Sequence, residues 1–416
     1  MLQKRRVCVT IKILQWLQGC KMLANIHSIG PTFSRDIRAL LRMQGVMNAS
    51  HFMTVPLLAL HMSMTLHFNS VALATVMSAN LLSAQTLPLI AGAIADRFGS
   101  RRMLALGLWL RGLGFLGFSV TNDVTAWVSF AFAAGSGVAC YEAGLYGIFG
   151  RQPKASHPAL FAANNQMLNM GTAVGPMVGG LAALIDARFA FAASALLFGV
   201  LGATMSRSTV GSSETADRRA VLVNLRAAVT NRDLWRLIVV SFPWFFLFPQ
   251  VYVAFPLHAE RLAGPYAASA VYVVNGVIGL AFMLAAKRWL VRINPAISTM
   301  YAYMAAAVAF ASVAAFNNLA WFLLFIAAYT VIETVMLPAL ETMTGSLAVD
   351  GSQATCFGVL SATGALSGAA GYYAGSWLIL NATSLETWAT FGSVAALGFA
   401  GAALILPKTL RRTSML

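Results

Sequence analysis

Glu142, Glu333 and Glu341 are carboxylates set inside long apolar runs, and Arg111 is a guanidinium in similar surroundings. An ionised side chain at bilayer depth costs several kcal/mol, so each is a functional candidate. Burial disfavours a carboxylate relative to the neutral acid, so Glu142 and Glu333 can take up and release protons near neutral pH. A proton-coupled carrier needs such a switch, because neutralising the carboxylate changes which packing is favoured. A cationic substrate competing for the same group would give exchange. The alternative is a Glu paired permanently with a neighbouring Arg or Tyr; Glu341 is the weaker candidate of the three. Arg111 either pairs with Glu142 across adjacent helices or binds an anionic substrate.

Uncharged polar groups gather at the same depth. Gln44, Asn48 and His51 recur at helical spacing on one face and are followed by Thr54. Asn164, Asn165, Gln166 and Asn169 crowd a second segment, and Trp244, Gln250 and Tyr252 flank Pro243 and Pro249 in a third. Clustered amides at lipid depth line water more often than they face acyl chains, although each alone can equally bridge two helices. His51 either titrates near neutral pH or packs through hydrogen bonds.

The elements that must position these groups are transmembrane helices. The chain has 416 residues, 59% hydrophobic and 10% charged, with a mean hydropathy of +0.73. At about 20 residues per crossing, the apolar share supplies roughly twelve helices. Apolar runs lie at about 43–66, 71–95, 103–120, 124–149, 158–185 and 187–205, then at 234–258, 265–286, 296–316, 319–345, 353–380 and 385–407. The polar stretch 206–233 separates six from six. The predicted fold is therefore all-α: twelve transmembrane helices in two six-helix halves, 43–205 and 234–407, with a basic arm 1–42, the linker 206–233 and a tail 408–416.

Charge placement gives the orientation. With alternate loops assigned to opposite sides, 25 Lys and Arg fall on one side, against Arg188 and Arg261 on the other. By the positive-inside rule both termini are cytoplasmic. Glu142 then sits about seven residues from its cytoplasmic helix end, roughly 10 Å deep at 1.5 Å per residue. The run Val7–Cys20 is interrupted by Lys12, Gln15 and Gln18 and makes a poor signal-peptide core. It reads as a cytoplasmic arm with Met22 as an alternative start, or as a basic surface helix on anionic lipid.

This composition excludes a soluble enzyme with one anchor, a disulfide scaffold and a disordered chain. Cys8, Cys20, Cys140 and Cys356 have neither CxxC nor zinc spacing. No metal, cofactor or nucleic-acid partner is expected, and no nucleophile–base set suggests catalysis. Arg111-Gly112-Leu-Gly114-Phe-Leu-Gly117 contains G-x-G-x-x-G, but it lies inside an apolar run without a preceding strand, so helix packing explains it.

Two strings are more specific. Gly92-Ala-Ile-Ala-Asp96-Arg97-Phe-Gly99-Ser-Arg101-Arg102 lies where the second crossing reaches the cytoplasm. Gly92 permits close helix approach and Gly99 a sharp turn. Asp96 can face a helix N-terminus or an arginine, while the arginines reach helix ends or lipid phosphates. In the fifth crossing, Gly171, Gly175 and Gly179 stand four apart beside Pro176, a smooth packing face with a loosened backbone. Gly364, Gly368, Gly371 and Gly375 give the eleventh crossing a cognate face.

The first string resembles the loop signature G-x-x-x-D-R-x-G-R-R of the major facilitator superfamily, and the second resembles the fifth-helix motif of its drug:proton antiporter branch. Shorter strings around Arg111, Gln250 and Glu341 look closer to one bacterial multidrug-resistance subgroup. The resemblance implies two six-helix halves that rock about a central cavity lined by helices one, four, seven and ten. It makes Gly92, Asp96, Arg97, Gly99, Arg101 and Arg102 a cytoplasmic latch of one closed state. Antiporters of that branch usually carry an arginine in the fourth helix, and none occurs between Trp127 and Phe149. Arg111 either compensates or is a structural charge.

The expected function is secondary transport across the cytoplasmic membrane: proton-coupled efflux of hydrophobic or cationic small molecules by a monomer in contact with lipid. Proton-coupled uptake of an organic acid or sugar is the second reading, and a transport-dead sensor the third. Candidate coupling or substrate residues are Glu142, Glu333, Arg111, His51, Asn48, Asn164, Asn165 and Gln250.

Overall fold

The computed structural model describes residues 33–150, 152, 157–183, 185–208, 230–290, 293–316, 318–347 and 353–406. The expectations for the arm before residue 33, for most of the linker and for the tail lie outside the described residues.

Fourteen α-helices and no strand occur among the described residues. The first half contains α1 Arg35–Leu60, α2 Ser70–Thr86, α3 Pro88–Phe98, α4 Ser100–Val120, α5 Val124–Gly150, α6 His157–Ala183 and α7 Ala187–Arg207. The second contains α8 Arg232–Leu247, α9 Ala254–Ala263, α10 Pro265–Leu290, α11 Pro295–Ala315, α12 Leu319–Leu347, α13 Gln353–Asn381 and α14 Ser384–Ile405. Among the described residues, eight segments are long and apolar enough to cross a membrane. Outside that set stand α1, α6 and α13, together with α2 and α3, which at 17 and 11 residues are each too short to cross alone. The chain is an all-α, multi-pass membrane protein.

Three boundaries differ from the hydropathy reading. The first helix starts at Arg35 rather than near 43, because Ser34 accepts from the Ile37 amide and Asp36 complements the helix dipole. The second crossing is broken at Leu87, where Pro88 begins α3. The seventh crossing runs through a 3₁₀ turn, Phe248–Val251, between α8 and α9. Pro249 lies in this turn. Pro243 sits inside α8, and beside it the Tyr303 hydroxyl inserts into the helix ladder. It donates to the Val240 carbonyl at 2.6 Å and accepts from the Trp244 amide at 3.1 Å.

The halves repeat one plan. Asp123 caps α5 and Asn318 caps the start of α12, each accepting from the amide three residues on. His61 stacks on Trp127 with centroids 6.0 Å apart and meets Phe191 edge-on at 5.5 Å. In the second half His258 meets Phe322 at 4.7 Å and Trp388 at 4.9 Å. The two histidines are 197 positions apart, and Trp and Phe have exchanged places between the boxes. Between the halves, α2 packs along α13 and α6 along α10. Thr75 and Tyr373 share a hydrogen bond of 2.9 Å across the first seam, and Ser361 donates to Gln85 there.

Glycines set the helix spacing. Gly171 lies against Asn48 and Ala49, and Gly175 and Gly179 against Ala49, Phe52 and Met53, so α6 touches the backbone of α1. Gly112 faces α7 and Gly114 faces α5, which accounts for the G-x-G-x-x-G string as packing.

Candidate functional site

A cavity of about 200 Å³ lies between the halves. From α1, His51, Val55 and Leu58 reach it on one helical face, and from α4, Arg111, Phe115 and Phe118 do so with the same spacing. Asn80 and Gln85 come from α2 and Val138 from α5, while Phe248, Tyr252 and Tyr372 close it from the second half. The break in the seventh crossing presents Phe248 and Tyr252 together, as discontinuous helices do at transport sites.

The repeat makes the two walls comparable. The 197-residue offset that relates His61 to His258 also relates His51 to Phe248 and Val55 to Tyr252. The imidazole of His51 thus stands where the second half has the Phe248 ring, and the aliphatic Val55 where it has Tyr252.

Arg111 is 4% exposed, with its guanidinium carbon 4.7 Å from the Phe198 ring centroid and Nη1 3.6 Å from the Met47 sulfur. Its stem lies on Gly137, where a Cβ would come within 2.7 Å of the Arg111 Cγ. Among the described residues no carboxylate lies within 4.0 Å of it, so the contact pair with Glu142, one of the two alternatives for Arg111, is not formed. Glu142 acts on it electrostatically from greater range. Arginine stays charged in proteins. A cation–π contact is worth about 0.5–2 kcal/mol, less than the several kcal/mol that desolvating an ion costs.

His51 packs edge-on against Phe52 at 5.1 Å, and its Nδ1 has no hydrogen-bond partner among the described residues. The Nδ2 of Asn48, one turn away, is likewise buried without a partner. Gln44 and Asn164 serve a different purpose: Gln44 accepts from the Tyr141 hydroxyl and donates to Asn164 at 2.8 Å, joining α1, α5 and α6. The side chain of Asn165 lies outside the described part. Gln250 is fully buried and donates to the Phe246 and Gly371 carbonyls at 3.1 and 2.9 Å, binding the 3₁₀ turn to α13.

Glu333 accepts from Asn275 at 3.1 Å, and Asn275 also donates to Thr330 at 3.0 Å. Its charge acts on Tyr252 and Tyr329. Eleven residues after Trp127 stands Val138, and eleven after the equivalent Phe322 stands Glu333. Glu333 thus occupies the counterpart of a cavity-lining position. Glu142 falls one turn further along its helix, opposite Leu337, so the two acids are not register equivalents. Neither lines the cavity. Glu142 and Glu341 both lie within electrostatic range of Tyr146.

At the predicted latch, Gly99 has φ 93° between α3 and α4, in the region that favours glycine. Arg101 donates to the Ser208 carbonyl at the end of α7, and Arg102 is exposed. Gly92, Asp96 and Arg97 lie in α3, with their side-chain surroundings outside the described part. Pro176 is buried inside α6 among the glycines that meet α1.

Sequence reasoning passed over Asn80, Gln85, Phe248, Tyr372 and Asn275. Asn80, Gln85 and Asn275 are intramembrane amides, the same signal that marked Asn48. Phe248 and Tyr372 carry no signal apart from the fold.

A family model described as Major Facilitator Superfamily matches residues 43–372. The chain belongs to the major facilitator superfamily. Among curated relatives, the uncharacterized MFS-type transporter Rv0849 of Mycobacterium tuberculosis is 26% identical over 264 residues, 62% of either chain. The match therefore spans less than two thirds of that relative. Multidrug resistance protein MdtH of Salmonella typhimurium is 22% identical over 341 residues, covering 79% of this chain and 82% of that one. Among solved structures, nucleoside transporter NupG superposes with a TM-score of 0.75 at 13% identity, over 89% of this chain and 99% of that one. A POT family transporter solved with a thioalcohol-conjugated peptide gives 0.76 at 15% identity, over 90% and 96%. The likenesses to these solved structures show the fold.

Proposed function

We propose that this chain is a proton-coupled exporter of hydrophobic small molecules in the cytoplasmic membrane. It acts as a monomer with both termini inside, its halves 43–205 and 234–407 rocking about the central cavity. The observation that carries the reading is that cavity, walled by aliphatic and aromatic side chains from both halves. Export is supported by the likeness to MdtH, whose name describes multidrug resistance. The cationic part of the sequence-based expectation is not carried forward, because Arg111 and His51 line the cavity while Glu142 and Glu333 do not.

Glu333 is the primary coupling group. Its amide partner Asn275 can hydrogen-bond either protonation state, and its register match to the cavity-lining Val138 supports the reading. Glu142 is the second, linking proton occupancy to the charge of Arg111. The Gly99–Arg101 turn holds the first half's cytoplasmic ends together, and movement of the halves must be accommodated around it.

One observation favours the second reading, proton-coupled uptake of an organic acid. Protonating Glu142 would leave the positive charge of Arg111 less compensated, so proton and anion would bind cooperatively.

The test is transport in proteoliposomes under an imposed pH gradient, with a protonophore control. Glu333→Gln and Glu142→Gln should each uncouple or abolish gradient-driven movement of a hydrophobic dye. Undiminished transport in both variants defeats the coupling assignment. Substrate accumulation on the acidic side indicates exchange against protons, and accumulation on the alkaline side indicates uptake with them.

A further inference from the structure

We infer that the central cavity selects amphipathic organic anions: a small ring or short alkyl body bearing a carboxylate, which pairs with Arg111 and accepts a hydrogen bond from His51. This deepens the proposed transport reading and rests on it for the identity of the cavity as the substrate site.

Three independent features converge on the same ligand chemistry. Arg111 is a permanent cation, nearly fully buried, yet among the described residues its hydrogen-bond partner is the weakly accepting sulfur of Met47. Arg111 lines the cavity, and a guanidinium fork matches two carboxylate oxygens. His51 lies on the same wall with Nδ1 unpartnered.

Among the described residues the lining contains neither Asp nor Glu, so an entering cation meets Arg111 without a compensating carboxylate from them. The opposite wall replaces His51 and Val55 by Phe248 and Tyr252 at register-equivalent positions. One end of the ligand is thus required to be anionic and the other flat or apolar. A volume of about 200 Å³ suits a body of one ring better than a large drug.

Glu142 is the charge that opposes this site from outside the lining. It acts on Arg111 without touching it. A contacting internal counter-ion would have occupied the donor fork. At its greater separation Glu142 moderates the charge and leaves the fork open to a ligand.

The experiment compares three near-isosteric probes on the purified full chain in nanodiscs: 4-phenylbutyrate, 4-phenylbutyramide and 4-phenylbutylamine. Binding is followed by calorimetry. The carboxylate is expected to bind at least about tenfold more tightly than the amide, the increment of one charge-assisted bond, and the amine more weakly still. Arg111→Gln should bring the carboxylate down to the level of the amide, and Arg111→Lys should restore part of the difference through charge without the fork.

Equal binding of the three probes, or preference for the amine, overturns the inference. So does a carboxylate preference that survives Arg111→Gln. If Arg111→Gln does not fold, the probe series on the unaltered chain and on Arg111→Lys still decides. Gradient-driven movement of either a hydrophobic dye or labelled 4-phenylbutyrate by the unaltered chain tests the transport reading separately. Transport without carboxylate preference removes the selectivity alone, and carboxylate preference without transport removes the function alone.

Discussion

Replacing Gly175 by alanine tests whether α1 and α6 are packed as closely as the glycine face requires. A Cβ at Gly175 would lie 2.6 Å from the Ala49 carbonyl oxygen, 2.8 Å from the Met53 amide nitrogen and 2.8 Å from the Phe52 carbonyl carbon. All three are backbone atoms, so no side chain can swing aside. Restoring ordinary van der Waals separation needs a shift of roughly 0.8 Å between the two helices. Overpacking of this kind costs about 1–3 kcal/mol.

Alanine also gains about 1 kcal/mol of helix propensity over glycine, which would blur the result. Gly199 in α7 supplies the control, because its Cβ would find its nearest neighbour, Trp109, at 3.9 Å. Propensity cancels between the two variants, leaving the packing cost. Gly175→Ala should then unfold with an equilibrium constant about 5- to 150-fold larger than Gly199→Ala. Thermal unfolding of both purified proteins in one detergent gives the comparison. An unfolding temperature for Gly175→Ala at or above that of Gly199→Ala would refute the close approach.

Tyr303→Phe removes the hydroxyl that bridges the Val240 carbonyl and the Trp244 amide. It should destabilise the second half by about 1–3 kcal/mol; unchanged thermal unfolding would mean the ladder closes on itself. Tyr373→Phe cuts the 2.9 Å bond to Thr75 between α2 and α13. A net bond of about 1 kcal/mol shifts the closed-to-open ratio about fivefold, read as faster labelling of a cysteine placed at Met77 by an impermeant thiol reagent. Equal labelling rates would show that the bond does not hold the seam. Glu142→Gln removes the charge that moderates Arg111 and should tighten 4-phenylbutyrate binding several-fold in calorimetry; weaker binding would reverse the assigned electrostatics.

Hydropathy made the all-α, multi-helix plan legible because bilayer thickness fixes helix length. The Gly171–Gly179 face was legible because close helix approach tolerates few residue types. Helix rotation was not legible. Asn164 and Gln250, candidates alongside His51, join helices to one another, since a polar side chain serves either purpose with the same spacing. The Arg111–Glu142 pairing failed for a related reason: adjacent helices fix neighbourhood, while tilt and axial offset decide whether two charges touch. The break at Phe248–Val251 is carried by Pro249 and its neighbours, and an average over an apolar window passes straight through it.

The paired aromatic boxes around His61 and His258 each draw every member from a single half. Rigid rotation of one bundle against the other would leave both boxes internally unchanged. Trp127 and Trp388 are therefore natural fiducial marks: the vector joining them tracks the relative pose of the bundles, uncontaminated by local rearrangement within either.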